Sequence, residues 1–329
     1  MATLRRTGVV LVALLALAAA AAAVVYVKGR EAFYAPGPST SETVVVIPKG
    51  AGTGRIAELL ADAGVIADPL AFRVAARLTE ARLKAGEFAF PAGASAAEAM
   101  AVVASGKVVQ HFLTIPEGWT VKQALAAVAA APALDGEAPA ALPEGALLPE
   151  TYAYVRGETR ARLVARMRAA MESALAAAWA GRAEGLPFKT PEEALTLASI
   201  VERETGVAEE RPRVAAVFVN RLRFGMKLQS DPTVIYGLSD GAGVLDRSLT
   251  RKDLEADHPY NTYEIDGLPP GPIALPGLAA IRATLDPADT RDLYFVADGS
   301  GGHVFARSLD EHNRNVAKWR ALERAQKSR

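Results

Sequence analysis

Two carboxylates at the end of one helical segment carry the strongest chemical signal in this chain. They are Glu202 and Glu204, in ASIVERETG at 198–206. Lys189-Thr190-Pro191 opens the segment, with Thr190 and Glu193 spaced as a capping box and Pro191 at the first helical position. At 100° per residue, Glu204 falls within about 60° of Leu197, Ile200 and Val201. Thr196, Ser199 and Arg203 make a polar stripe, and Glu202 points roughly opposite to Glu204, toward Leu195 and Ala198. A carboxyl on an apolar face in the last turn has two reasons to keep its proton. Burial disfavours the anion, and so does the negative end of the helix dipole. Those conditions suit a general acid at neutral pH. The opposing reading is an ion pair with Arg203, Arg211, Arg213, Arg221 or Arg223, because buried carboxylates are usually paired. Pairing is also the expectation for Glu202.

Other polar groups lie in the Gly/Pro-rich stretch 225–277. They are Gln229, Ser230, Asp231, Thr233, Tyr236, Tyr260, Asn261, Thr262 and Tyr263, with Pro269-Pro270-Gly271-Pro272 following. Rigid loops that hold amides and rings suit a sugar, whose hydroxyls take hydrogen bonds and whose faces lie on aromatics. Ordinary turn chemistry by Asn and Asp is the plain alternative. Other machinery is missing. There is no G-x-x-x-x-G-K-[ST], no H-E-x-x-H and no G-x-S-x-G. His111, His258, His303 and His312 are scattered without ligand spacing and read as structural or surface residues. With no Cys, the chain has no disulfide, thiolate metal ligand or thiol nucleophile. No metal and no cofactor are expected. The 37 Lys+Arg balance 37 Asp+Glu, which gives no basic footprint for nucleic acid.

Half of the 329 residues are apolar, and part of that excess is local. Residues 8–27 are uncharged and long enough to cross a bilayer as a helix. Arg5 and Arg6 precede the run; Lys28 and Arg30 follow it. Its length favours a retained anchor over a cleaved signal, and the preceding charge places the short N-terminus inside. Residues 31–42 read as a Pro/Ser tether.

Three similar units follow: VVVIPKG at 44–50, FAFPAG at 88–93 and FLTIPEG at 112–118, each leading into an Ala/Leu-rich helix. Ser95 with Glu98, and Thr120, supply helix starts; Asp68-Pro69 starts a further helix. Residues 43–110 therefore read β-α-α-β-α. Beyond them the pattern gives a loop at 132–150, helices at 159–181, 191–205 and about 209–224, an irregular stretch at 225–277, and a hairpin at 292–306. A last helix follows Ser308 and Glu311.

The stretches ASIVERETG, RPRVAAVFVNRLRFGMKLQSDPTVIYGL, YNTYEIDGLPPGPIALPG and DLYFVADGSGGHVFARSLDEHN resemble the endolytic murein transglycosylase (YceG-like) family. Their order and spacing agree across about 196–313, and the N-terminal run and PKGAGTGRIAELLADAGVI also fit. The resemblance implies an α+β protein laid out as a cytoplasmic N-terminus at 1–7, a transmembrane helix at 8–27 and a tether at 28–42. A LysM-like module at 43–110 and a mixed α+β catalytic domain at 111–329 complete it. It implies a single-pass protein of the inner membrane with its catalytic domain in the periplasm, near peptidoglycan synthases. The implied reaction cuts nascent glycan strands internally at the MurNAc–GlcNAc β-1,4 bond and leaves 1,6-anhydro-MurNAc ends.

The family's essential Glu is the second in E-[KR]-E-T, which carries over to Glu204. Gln229, Asp231, Tyr260, Asn261 and Tyr263 are the expected substrate-binding residues. One departure is Glu150 in LLPETY, where the family has Asp; it leaves the role of that carboxylate open, as are those of Glu202 and Asp231. Two alternatives stand beside the lyase: a wall-binding scaffold without catalysis, and a hydrolytic muramidase. A retaining hydrolase needs a second carboxylate about 5–5.5 Å from the first.

Overall fold

The structure is a computed structural model that describes residues 2–327, with side chains for 8–325. The side chains of Arg5 and Arg6 lie outside the described residues. The chain forms two units, 1–111 and 112–329.

In the first unit, helix α1 (Ala2–Tyr34) contains an apolar stretch, Gly8–Tyr34, whose most apolar part is exposed while Phe33 near its end packs against the core. Strand β1 (Thr43–Ile47) leads through a Pro-x-Gly turn to α2 (Thr53–Asp62) and α3 (Pro69–Leu78). Asp68 starts α3 by accepting the N–H groups of Leu70 and Ala71. Strand β2 (Gly86–Phe90) pairs antiparallel with β1 in the register Val45 opposite Phe88, and α4 (Ala96–Ser105) follows behind a full Ser95–Glu98 capping box. Alternation on the two strands sends Val45, Ile47, Phe88 and Phe90 into one core with Leu60, Ile66 and Phe72.

The tether expected over 31–42 differs in two ways. Helix α1 runs on through Tyr34, because EAFY continues the helical pattern of the span. The segment after it is then pinned. Gly37 N–H donates to Gly93 O at 3.2 Å, and Gly93 N–H donates back to Ser39 O at 2.8 Å. A Cβ at residue 37 would fall 2.0 Å from Val65 O, so only glycine permits this approach.

The second unit opens with β3 (His111–Thr114), whose first residue closes the first unit, and β3 leads through Pro-Glu-Gly into α5 (Val121–Ala130). The loop 131–150 ends at β4 (Thr151–Tyr154), which pairs with β3. Helix α6 (Arg160–Ala180) begins with an arginine that gathers four carbonyls, those of Val128, Ala131, Leu134 and Gly136. Helices α7 (Pro191–Glu204) and α8 (Arg211–Arg223) form the centre, and α9 (Asp231–Leu238), α10 (Arg251–Leu254) and α11 (Leu278–Leu285) surround it. The hairpin β5 (Tyr294–Ala297) and β6 (His303–Ala306) and helix α12 (Leu309–Lys327) close the unit.

Every residue of α7 from Ala194 to Val201 is buried, so the stripe of Thr196 and Ser199 does not face solvent. Ser199 Oγ donates to Thr196 O and accepts the N–H of Ile273, which removes the cost of burying it. The stretch 225–277 is less irregular than its composition predicts. Helix α9 begins behind Ser230 with Asp231 and Pro232 in its first turn, an acid and a Pro that suit a helix start, although the Ser230 side chain does not cap it.

Candidate active site

Helix α7 is enclosed by its neighbours and then ends at Glu204, where the chain turns outward through Thr205 into the connection to α8. Glu204 keeps part of its surface while standing deep within protein mass. Burial is the dominant influence on it and pushes its carboxyl up to about 7. Asp231 nearby pushes the same way. A hydrogen bond from Ser230 and the charges of His303 and Arg221 oppose it.

None of the five candidate arginines pairs with Glu204. Arg203 donates to the carbonyls of Gly118 and Gly243, Arg213 pairs with Asp292 at 2.7 Å, and Arg223 reaches Asn220 and the carbonyl of Gly185. Arg221 spends its donors on the carbonyls of Leu293 (2.7 Å), Leu228 (2.8 Å) and Lys227 (3.4 Å). Arg211 is buried and its Nε has no partner. The partner of Glu204 is neutral: Ser230 Oγ donates to its Oε1 at 2.5 Å, and Oε2 has no hydrogen bond among the described residues.

Two short segments interlock to place Ser230. One is Gln229-Ser230-Asp231, the other Asn261-Thr262-Tyr263. Thr262 O accepts Gln229 N–H at 3.0 Å, and Thr262 Oγ1 accepts Ser230 N–H at 2.9 Å. Thr233 closes the lock with bonds to Ser230 O and Thr262 Oγ1. Gln229 adopts φ +52°, a left-handed conformation that non-glycine residues rarely take, and the lock holds it there. Tyr263 OH donates to Asp231 Oδ1 at 2.6 Å; burial and the adjoining carboxylates push that phenol upward.

The five expected sugar-binding residues therefore have different placements. Asp231 and Tyr263 adjoin Glu204. Gln229 lies beside Ser230 with its side chain exposed and without hydrogen bonds among the described residues. Asn261 is buried; its amide donates to Leu254 O and Ala256 O, and its oxygen accepts Tyr263 N–H, so it shapes the loop. Tyr260 turns away and packs on Tyr236, with ring centroids 4.9 Å apart.

Of the other carboxylates, Glu202 accepts Gly277 N–H at 3.0 Å and is pushed up by burial. Glu150 is exposed; its backbone carbonyl accepts Ile115 N–H. The largest cavity described, about 800 Å³, lies at the opposite end of α7, against Glu192, Thr196 and Pro269–Pro272.

His303 belongs to the surroundings of the site while keeping structural bonds of its own. It stands within electrostatic reach of Glu204, and its backbone N–H and Nδ1 both hold Glu210, each at 2.9 Å. No local pattern announces this pair, whose members are 93 positions apart. Among the described residues no group of three or more His, Asp or Glu side chains is arranged to hold a metal ion.

The chain matches the YceG-like family over residues 45–318. It is 46% identical over 125 residues to the endolytic murein transglycosylase of Bacillus subtilis, covering 38% of this chain and 34% of that protein. It is 31% identical over 327 aligned residues to the endolytic murein transglycosylase of Streptococcus pneumoniae, covering 85% of this chain and 59% of that one. The chain thus spans less than two thirds of the length of either relative. A crystal structure of a YceG-like protein from Listeria monocytogenes aligns with a TM-score of 0.51 and 29% identity, over 84% of this chain and 99% of that chain. The end of α7, the interlocked segments and the hairpin with His303 all lie inside the matched stretch, and the chain belongs to the YceG-like family.

Proposed function

We propose that the protein is an endolytic peptidoglycan lytic transglycosylase that cuts the MurNAc–GlcNAc β-1,4 bond and leaves a 1,6-anhydro-MurNAc end. The observation that carries this reading is a partly accessible carboxyl, Glu204, held by a serine and not by a cation, and shifted to about 7. The names of the two curated relatives support the same activity.

In the proposed reaction, protonated Glu204 gives its proton to the glycosidic oxygen as the C1–O bond breaks through an oxocarbenium-like state. The resulting carboxylate takes the proton of the C6 hydroxyl of the same MurNAc, and O6 closes on C1. Glu204 ends protonated, and no water is consumed. Ser230 keeps the carboxyl oriented through both halves. The Asp231–Tyr263 pair and the Gln229 amide line the position where the sugar must sit.

Asp231 supports a second reading. It is a carboxylate next to the acid, and a retaining hydrolase would use such a group as nucleophile. Mass spectrometry of fragments from purified strands separates the two. Anhydro ends are expected; products heavier by about 18 Da per cut, one water, would mean hydrolysis.

The position of Ser230 makes a pH prediction. Glu204 works as an acid only while protonated, so kcat/KM falls as pH rises through about 7. Ser230 favours the anion and thereby holds that midpoint down. In Ser230→Ala the basic limb of the kcat/KM profile moves to higher pH, and a limb that stays in place would remove Ser230 from this role.

The proposal extends to the rest of the chain. Helix α1 is a retained single-pass anchor, consistent with its apolar stretch, and the catalytic unit faces the periplasm. The β1-α2-α3-β2 order supports a LysM-like, glycan-binding reading of the first unit. Nascent strands are the substrate, which puts the enzyme beside the synthases that make them.

A further inference from the structure

Helix α3 carries an apolar ridge that its own unit does not cover. Leu70, Val74 and Leu78, spaced at i, i+4 and i+8, are 62%, 50% and 76% exposed, while Ala71, Phe72 and Ala76 on the other face are buried in the core. Arg73 and Arg77 flank the ridge, and both are exposed. An unpartnered ridge of this kind with a basic edge is the pattern of a helix that lies in a membrane interface.

The neighbour of the ridge is the outer end of α1. The two helices bound a largely apolar groove of about 740 Å³, lined on one side by Ala22, Val25, Tyr26 and Phe33 of α1 and on the other by the ridge, with Arg30 and Asp68 as the charged groups at its border. The uncharged run 8–27 is about 30 Å long as a helix, the thickness of a bilayer's hydrocarbon core. Ala22, Val25 and Tyr26 then occupy its outermost third, and Lys28 and Arg30 reach the headgroups. One wall of the groove is thus a surface that lipid surrounds, and the other faces it across a gap. The geometry is fixed, because Gly37 and Ser39 pin the chain after α1 to the same unit.

We infer that α3 is a second membrane contact: it lies in the outer interface of the bilayer that α1 spans. Lipid acyl chains fill the groove, and Arg73 and Arg77 meet anionic headgroups. This inference rests on the reading of α1 as a retained anchor.

The absence of native Cys lets one introduced thiol carry a nitroxide label without background. The full chain is reconstituted in vesicles of phosphatidylcholine and phosphatidylglycerol at 3:1, and power saturation compares oxygen with a water-soluble nickel chelate. Labels at Val74→Cys and Leu78→Cys are expected to favour oxygen severalfold over the label at Lys318→Cys, which reports water. Leu15→Cys reports the span itself. Aqueous readings at 74 and 78 with a lipid reading at 15 would overturn the inference and leave the anchor intact. An aqueous reading at 15 would overturn the anchor, and the inference with it.

Discussion

Glu204→Gln is expected to lower the rate of strand cleavage by about 10²- to 10⁴-fold, the range that a positioned proton donor contributes. It is expected at the same time to make the protein more stable. The amide oxygen still accepts from Ser230, so the local geometry survives. What disappears is a carboxyl that ionises reluctantly. Its pKa in the fold, about 7, lies above its ordinary 4.5 because burial favours the protonated form. The folded state therefore binds more protons than the unfolded chain between these values, and wild-type stability falls as pH rises through that window. The Gln variant has no such loss. Its advantage should be absent below about pH 4, grow between 4.5 and 7, and level off above. Since Glu204 retains some solvent contact, the plateau should be about 1–3 kcal/mol and not the full value of the shift. Urea titrations at pH 5 and pH 8, run beside the cleavage assay, test both halves. An inactive variant with no gain at pH 8 would mean that Glu204 is not buried as described.

Arg221→Met should be the most damaging single change near the site. The guanidinium joins three parts of the second unit: α8, which carries it, the start of β5 through Leu293 O, and the segment before Ser230 through Lys227 O and Leu228 O. It also stands 5.2 Å over the ring of Tyr294. Met fills similar volume but donates nothing. Two or three largely enclosed carbonyls lose their donors, at about 1–3 kcal/mol each. A total loss of about 3–5 kcal/mol is expected, read as a fall in urea midpoint. Arg221→Lys should recover only a part, because one ammonium cannot span carbonyls that Nε and Nη1 reach separately. Cleavage should fall in both variants, since Ser230 is two residues beyond Leu228.

Much of this was legible in the chain before folding. The apolar face of the α7 segment picks out Glu204, and the caps at Asp68, Ser95, Thr120 and Thr190 place four helix starts. Legibility ends where one segment answers another. Asn261 and Tyr263 look alike as candidates for a sugar, yet one is consumed by backbone and the other reaches Asp231. Tyr260 sits next to Asn261 in sequence and is turned aside by the bend that Asn261 builds. Helix α11 and strand β4 have no strong period over their 8 and 4 residues, so nothing local marks either of them. The Glu210–His303 pair could not be read at all, because nothing local links a residue between helices to a hairpin strand 93 positions away.

The burial of α7 has a consequence for how the molecule breathes. Backbone amides from Ala194 to Val201 are shut in on every side, so they exchange with solvent only when the whole unit opens. The amides of 240–258, on a largely accessible connection, exchange through small local openings. Glu204 stands three residues past the last of these amides. The carboxyl proposed as proton donor is thereby mounted on an enclosed helix of its unit, while the connection 240–258 opens at less cost.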